Sequence, residues 1–143
     1  MTFVLDASVT MAWLLGDAKP SDRAYAAAVL AAMKDPQTRA AVPVTWSLEV
    51  SNVLSRSEAR AIVAEAQSEA FLAMLSSLSI RADAATFAHA MTETLQLSRR
   101  HRLSAYDASY LELALRSGLP LATLDSDLAK AARKAGVKRF APA

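Results

Sequence analysis

Four carboxylates stand in apolar settings where a lone carboxylate is costly: Asp6 in FVLDAS, Glu49 in WSLEVSNVL, Asp107 in LSAYDASYLELA and Asp125 in LATLDSD. A buried charge is tolerated when it is paired or bound to a metal ion. If the fold gathers these acids, a divalent cation is the simplest common partner. The chemistry then implied is metal-assisted hydrolysis, with a phosphodiester as the expected substrate. Every donor in the set is a hard oxygen, which suits Mg²⁺ or Mn²⁺. Neither His89 nor His101 lies in a recognisable metal-ligand motif, so no histidine base is evident.

Each acid also has a plainer reading. Asp6 and Asp125 each follow an apolar run and precede a helical pattern, so either can be an N-cap. Capping and metal binding are compatible, because a carboxylate has a second oxygen. Glu49 shares a polar stripe with Thr45, Asn52 and Arg56, roughly 60° wide at 3.6 residues per turn. Val44 and Leu48 border it on one side, Trp46, Val50 and Val53 on the other. So narrow a stripe suits a cleft better than a solvated face. Asp107 lies opposite a polar face formed by Ser109, Glu112 and Arg116. The pattern makes Asp107 the inward acid and Glu112 the solvated one. The plainer reading of Asp107 is a capping box with Ser104, in which the carboxylate turns back to the Ser104 amide. Asp127 falls in the first turn of the last helix, where an acid favours the helix dipole and can also serve as a peripheral ligand.

These positions need a scaffold. The chain has 143 residues, 53% of them hydrophobic, enough for one domain with a substantial core. Abundant alanine and few β-branched residues favour helix. Apolar runs at Thr2–Leu5, AAVPV, LSIRA and LPLATL read as strands, the last ending at Asp125, and GVKRF reads as a further terminal strand. Between them lie helical patterns. The first is ASVTMAWLL, broken by Gly16 and Pro20. Next comes a helix capped by Ser21 that carries Tyr25, Val29 and Met33. Two more run from about Thr45 to Ser55 and from about Glu58 to Leu78, the latter burying Val63, Ala66, Ala70 and Met74. A fifth carries Phe87, Met91 and Leu95 and ends near the basic SRRHR. Ser104–Ser117, closed by Gly118, is the sixth, and the last ends near Ala135. Strands alternating with helices imply an α/β fold, helix-rich, with a mainly parallel sheet covered on both faces. A site in such a sheet lies beyond the carboxyl ends of the strands.

There is no cysteine, so disulfides and thiolate zinc sites are excluded. No apolar run is long enough to span a bilayer, and no signal-peptide pattern opens the chain. A cytoplasmic location is expected. The net charge is only +2, but basic residues cluster at Arg99–Arg102 and from Lys130 to Arg139. Arg99, Arg100, Arg102, Lys130 and Arg133 are candidates for holding a nucleic-acid backbone.

At VLDASVTMAWLL, LEVSNVL, LSAYDASYLELA and LPLATLDSDLAKAARKAGV the chain resembles the PIN-domain family, and within it the VapC-type toxins of bacterial toxin–antitoxin pairs. The likeness covers the order and spacing of all four acids over essentially the whole chain. It implies a three-layer α/β/α sandwich comprising a single PIN-like domain over residues 1–143, and a Mg²⁺- or Mn²⁺-dependent endoribonuclease. Asp6, Glu49, Asp107 and Asp125 match the family's acidic quartet as catalytic and metal-binding residues. Asp127 matches a further acid of some members, and Ser8, Asn52 and Thr123 match supporting polar positions. The implied partners are an RNA substrate, a small VapB-like antitoxin and a second copy of the chain in a homodimer or larger assembly. Products with 5′-phosphate and 3′-hydroxyl ends are expected.

Rival readings fit less well. A phosphatase of the haloacid dehalogenase type needs a second Asp where this chain has Ser8. A receiver domain needs an acidic pair near the first strand and a lysine after the last. A structure-directed DNA nuclease of related fold needs insertions for which this chain is short. A different class remains open, in which the chain is a non-catalytic partner in a toxin–antitoxin repressor complex, with a partner groove among the apolar helices between Tyr25 and Met74.

Overall fold

The apolar run Thr2–Leu5 is the strand β1, and it lies inside the sheet rather than at its edge. Every residue of it after Thr2 is buried, because β1 is covered on both faces. Phe3 and Leu5 enter one apolar cluster and Val4 another, as the two-residue alternation of a strand requires. The structure, a computed structural model, describes residues 1–142.

Around β1 the sheet is parallel throughout. Its order is β3 (Ile80–Ala82), β2 (Arg39–Val42), β1, β4 (Leu121–Ala122). On one face α1 (Ala7–Ala12) and α2 (Pro20–Met33) close over Phe3 and Leu5 with Val9, Ala26 and Val29. On the other, α7 (Ala105–Ser117) and α8 (Ser126–Lys134) close over Val4 with Leu111, Leu113 and Leu128. A third cluster joins α1 to α3 (Trp46–Ala59) and α4 (Glu65–Ser76) through Met11, Val50, Leu54 and Phe71. The short α5 (Thr86–Ala90) and α6 (Glu93–His101) pack on α7. This is the expected helix-rich α/β sandwich, with eight helices among the described residues.

Several local expectations change. Pro20 starts α2 as its first residue, where the missing N–H is no loss, so Lys19 rather than Ser21 is the cap. The helix expected from Glu58 to Leu78 starts only at Glu65, because α3 runs on through Ala59 and a turn separates it from α4. Ala61 adopts a left-handed φ of 57°, and the Ile62 amide turns back to the Ser57 carbonyl. No glycine marks that break. Ala66 and Ala70 are consequently exposed, and α4 buries Ser68, Phe71 and Leu75 instead.

The strand expected over LPLATL shrinks to Leu121–Ala122, because the amides after Ala122 turn to side chains: Leu124 to Ser8 Oγ at 2.9 Å and Asp125 to Thr123 Oγ1 at 3.0 Å. Asp125 therefore stands three residues beyond the strand. GVKRF contributes one parallel bridge, Leu121 to Arg139, and not a full strand. The helix expected through Phe87, Met91 and Leu95 breaks at Met91–Thr92. Phe87 and Met91 are 82% and 76% exposed.

The reason for that exposure lies on α7. Glu112, expected in solvent, is only 5% exposed. Its carboxylate takes Arg116 Nε at 2.8 Å, and the same guanidinium reaches Asp83 Oδ2 at 2.6 Å. The contact of α5 and α6 with α7 is thus partly polar: Leu97 packs inward beside it, while Phe87 and Met91 are left outside. In the Ser109–Glu112–Arg116 row, Ser109 and Glu112 are covered, and the exposed Arg116 closes over Glu112 from the edge.

Candidate active site

Strand β1 ends at Asp6, and β4 lies beside it, with the Asp6 amide bonded to the Ala122 carbonyl at 3.0 Å. The chain leaves β1 toward β2 on one side and returns as β4 on the other, so the two strands flank the topological switch point. A crevice opens at such a point beyond the carboxyl ends of the strands. Asp6, Ser8, Thr123 and Asp125 are all placed there by chain direction alone.

Asp6 is 3% exposed and is positioned as the cap of α1, but its side chain caps nothing. Both Ser8 Oγ, at 2.5 Å, and Thr123 Oγ1, at 2.7 Å, donate to its Oδ2. Ser8 Oγ also accepts the Leu124 amide, which ties the start of α1 to the β4–α8 turn. Burial pushes the Asp6 carboxyl above the ordinary carboxylate range. The two hydroxyls oppose that shift, and the charge of Asp125 adds to it.

Asp125 does cap its helix, accepting the Leu128 amide at 2.8 Å. The capping box at Ser104 is half formed. Ser104 Oγ accepts the Asp107 amide at 3.1 Å, while among the described residues the Asp107 carboxylate makes no bond back to the Ser104 amide. That carboxylate faces the other acids. Its pKa is pushed up to about 6, first by burial and then by the charges of Asp6, Asp125 and Asp127.

Glu49 enters from α3. Its Oε1 accepts the hydroxyl of Tyr110 at 2.8 Å, and Tyr110 is wholly buried on α7. Burial raises the Glu49 carboxyl and the Tyr110 bond restrains it, while Asp6 and Asp107 raise it further. Burial also drives the Tyr110 phenol far above its ordinary value, so it is a neutral donor. Tyr110 is a partner that no motif in the sequence marks. Its signal was its position one turn after Asp107, among the side chains α7 turns inward.

The polar stripe on α3 divides. Only Glu49 turns to the acids. Asn52 and Arg56 border a separate cavity of about 540 Å³ with Leu15, Gly16 and Asp17, and Asn52 makes no hydrogen bond to the quartet among the described residues. Ser8 and Thr123 thus hydrogen-bond an acid of the quartet, and Asn52 makes no such bond among the described residues.

What distinguishes these acids is the lack of a cation. Glu112 and Asp83 are neutralised by Arg116. Among the described residues, none of Asp6, Glu49, Asp107 and Asp125 makes an ion pair. A mutually repelling set of half-buried carboxylates is a site for an external cation. Among the described residues no group of three or more His, Cys, Asp or Glu side chains is placed to hold a metal ion as it stands. The donors of the quartet are all hard oxygens, the type that Mg²⁺ takes through one or two carboxylates while keeping its waters.

A family model described as PIN domain matches residues 3–134. The chain belongs to the PIN domain family. This PIN domain is also similar to the crystal structure of PAE2754 from Pyrobaculum aerophilum, with a TM-score of 0.63 and 26% identity over 92% of this chain and 87% of that one. No relative among curated proteins matches it. The PIN domain is a nuclease-type fold that generally binds divalent metals. Among the described residues no helix is long and apolar enough to cross a membrane.

Proposed function

We propose that this PIN domain is a Mg²⁺- or Mn²⁺-dependent endoribonuclease, the toxin of a VapBC-type toxin–antitoxin pair. One observation carries the nuclease reading: Asp6 is buried and without a cation at the switch point of a parallel sheet, electrically coupled to further acids from three other elements.

Asp6, Asp107 and Asp125 would hold the ion, with Asp127 at the periphery. When bound, the ion supplies activation of a water and neutralisation of charge on the scissile phosphate. The protein's own contribution is placement. Ser8 and Thr123 fix one oxygen of Asp6 and so fix where its other oxygen points. Tyr110 holds one oxygen of Glu49, leaving the second to orient the attacking water and receive its proton. A carboxyl raised by burial and like charges holds a transferred proton more readily than a solvated one. An attack by water needs no 2′-hydroxyl on the substrate, consistent with 5′-phosphate and 3′-hydroxyl products.

The toxin role rests on the resemblance of the acidic motifs. The exposed Phe87 and Met91, with Leu48 at 70% exposure, support contact with an antitoxin or a second copy. The deciding experiment incubates purified protein and its Asp6→Asn variant with defined RNAs, with Mg²⁺, with Mn²⁺ and with chelator. Cleavage by wild type that needs metal and falls at least about a hundredfold in the variant is the expected result. Equal cleavage by both would sink the assignment. Growth arrest on expressing the chain alone, relieved by the product of a small upstream reading frame, tests the toxin role separately.

A further inference from the structure

Between the last turn of α6 and the outer face of α8 lies a cleft of about 480 Å³. Arg100 and Arg102 line one wall, Lys130 and Lys134 the other, with Asp127 and Ala131 completing it. His101 also borders it. Among the described residues none of these four cations makes an ion pair. Four positive charges thus converge against one carboxylate, and their repulsion is unrelieved within the chain.

Helix dipoles explain part of the composition, since cations favour the last turns of α6 and α8. They do not explain why two helix surfaces face each other with like charge, nor Lys130 in the middle of α8. They also do not explain Arg102. That residue closes α6 in the left-handed region, with φ 54° and ψ 43°. Glycine takes that conformation freely and arginine does so at a cost. Gly118 and Gly136 occupy positive φ elsewhere in this chain.

We infer that this cleft is a subsite for the phosphodiester backbone of an RNA strand, beside the acid cluster. The inference rests on the ribonuclease reading above. The cleft is contiguous with that site: Asp127 lines it, and the same Asp127 charge acts on Asp107. The lining also selects the ligand. Its only apolar residue is Ala131 and its only ring is the imidazole of His101, so four cations outweigh a single small stacking surface and the lining favours phosphate over base. An acidic protein segment would be expected to bring apolar anchors, for which the cleft has no pocket. The set differs from the one the sequence suggested. Lys134 joins it, Arg99 does not line it, and Arg133 borders another cavity with Lys138 and Arg139.

The test measures binding of a fluorescent single-stranded oligoribonucleotide to the full chain in chelator, by anisotropy across a salt series. Without metal the RNA stays intact, so the readout is independent of cleavage. The double variant Arg102→Gly, Lys130→Ala is expected to bind about tenfold more weakly and to lower the salt slope by about 1.4, at roughly 0.7 per lost phosphate contact on a single strand. Arg102→Gly alone keeps or raises the melting temperature, because glycine suits the left-handed cap, so its lost binding is not unfolding. Arg23→Ala, on α2, leaves affinity and slope unchanged. Unchanged affinity and slope in the double variant would overturn the subsite. So would retained RNA binding with selective loss of binding to poly-glutamate, which would assign the cleft to an acidic protein. If wild type binds RNA through the cleft yet cleaves none with Mg²⁺ or Mn²⁺, the nuclease reading falls and the subsite stands.

Discussion

At the scale of single residues, environment sorts acids that look alike in the sequence. Asp6 and Asp125 share a context of apolar run, Asp, helix, yet only Asp125 uses its carboxylate as a cap. Asp6 is held by hydroxyls from Ser8 and Thr123, so Thr123→Val should weaken Mg²⁺ binding about tenfold, measurable by calorimetry, while leaving the fold intact. Tyr110→Phe removes one hydrogen bond to a carboxylate, worth roughly 1.5–3 kcal/mol. We expect the melting temperature to fall by several degrees and kcat for RNA cleavage, measured well below it, to fall about tenfold or more.

The raised pKa of Asp107, about 6 against 3.8 for an ordinary Asp, has a signed consequence. A carboxyl that holds its proton more tightly when folded favours the folded state at low pH. That contribution is complete below about pH 3.8 and lost as pH rises through about 6. In the metal-free protein, Asp107→Asn should therefore raise the melting temperature at pH 7 and change it little at pH 4, as thermal unfolding in chelator would show.

Among the elements, the sharpest departures from the sequence pattern occur where a helix meets a polar neighbour or breaks without a glycine. Helices α5 and α6 turn apolar residues outward because Glu112, Arg116 and Asp83 fill the contact beneath them. Removing Arg116 leaves the buried Glu112 carboxylate without its charged partner, though Arg116 itself is exposed. Arg116→Met should destabilise by about 1–2 kcal/mol, read as a shift in the urea midpoint, whereas replacing Glu112 and Arg116 together by apolar residues should cost less. The break after α3 rests on Ala61 at φ 57°. Ala61→Gly should be neutral or stabilising by up to about 1 kcal/mol, because glycine relieves the left-handed strain.

Across the whole molecule, the site exists because β1 lies between strands reached by opposite excursions of the chain. If that site takes a divalent ion, binding must stabilise the folded state by mass action, about 2.7 kcal/mol at a hundredfold excess over Kd. Mg²⁺ should raise the melting temperature of wild type and not of Asp6→Asn. The sequence by itself determined the fold class and most of the order of strands and helices, and it marked four acids as costly, because apolar runs, helical spacing and isolated charges are local properties. It could not rank the acids on α7. Helical spacing makes Asp107 and Glu112 lie on different faces, but which face is covered depends on α5, α6 and Asp83, which arrive from elsewhere in the chain. Nor could it couple Tyr110 to Glu49, sixty-one residues away, or separate Asn52 from Glu49, the one acid in its stripe. Those are distances between elements, and only tertiary packing sets them.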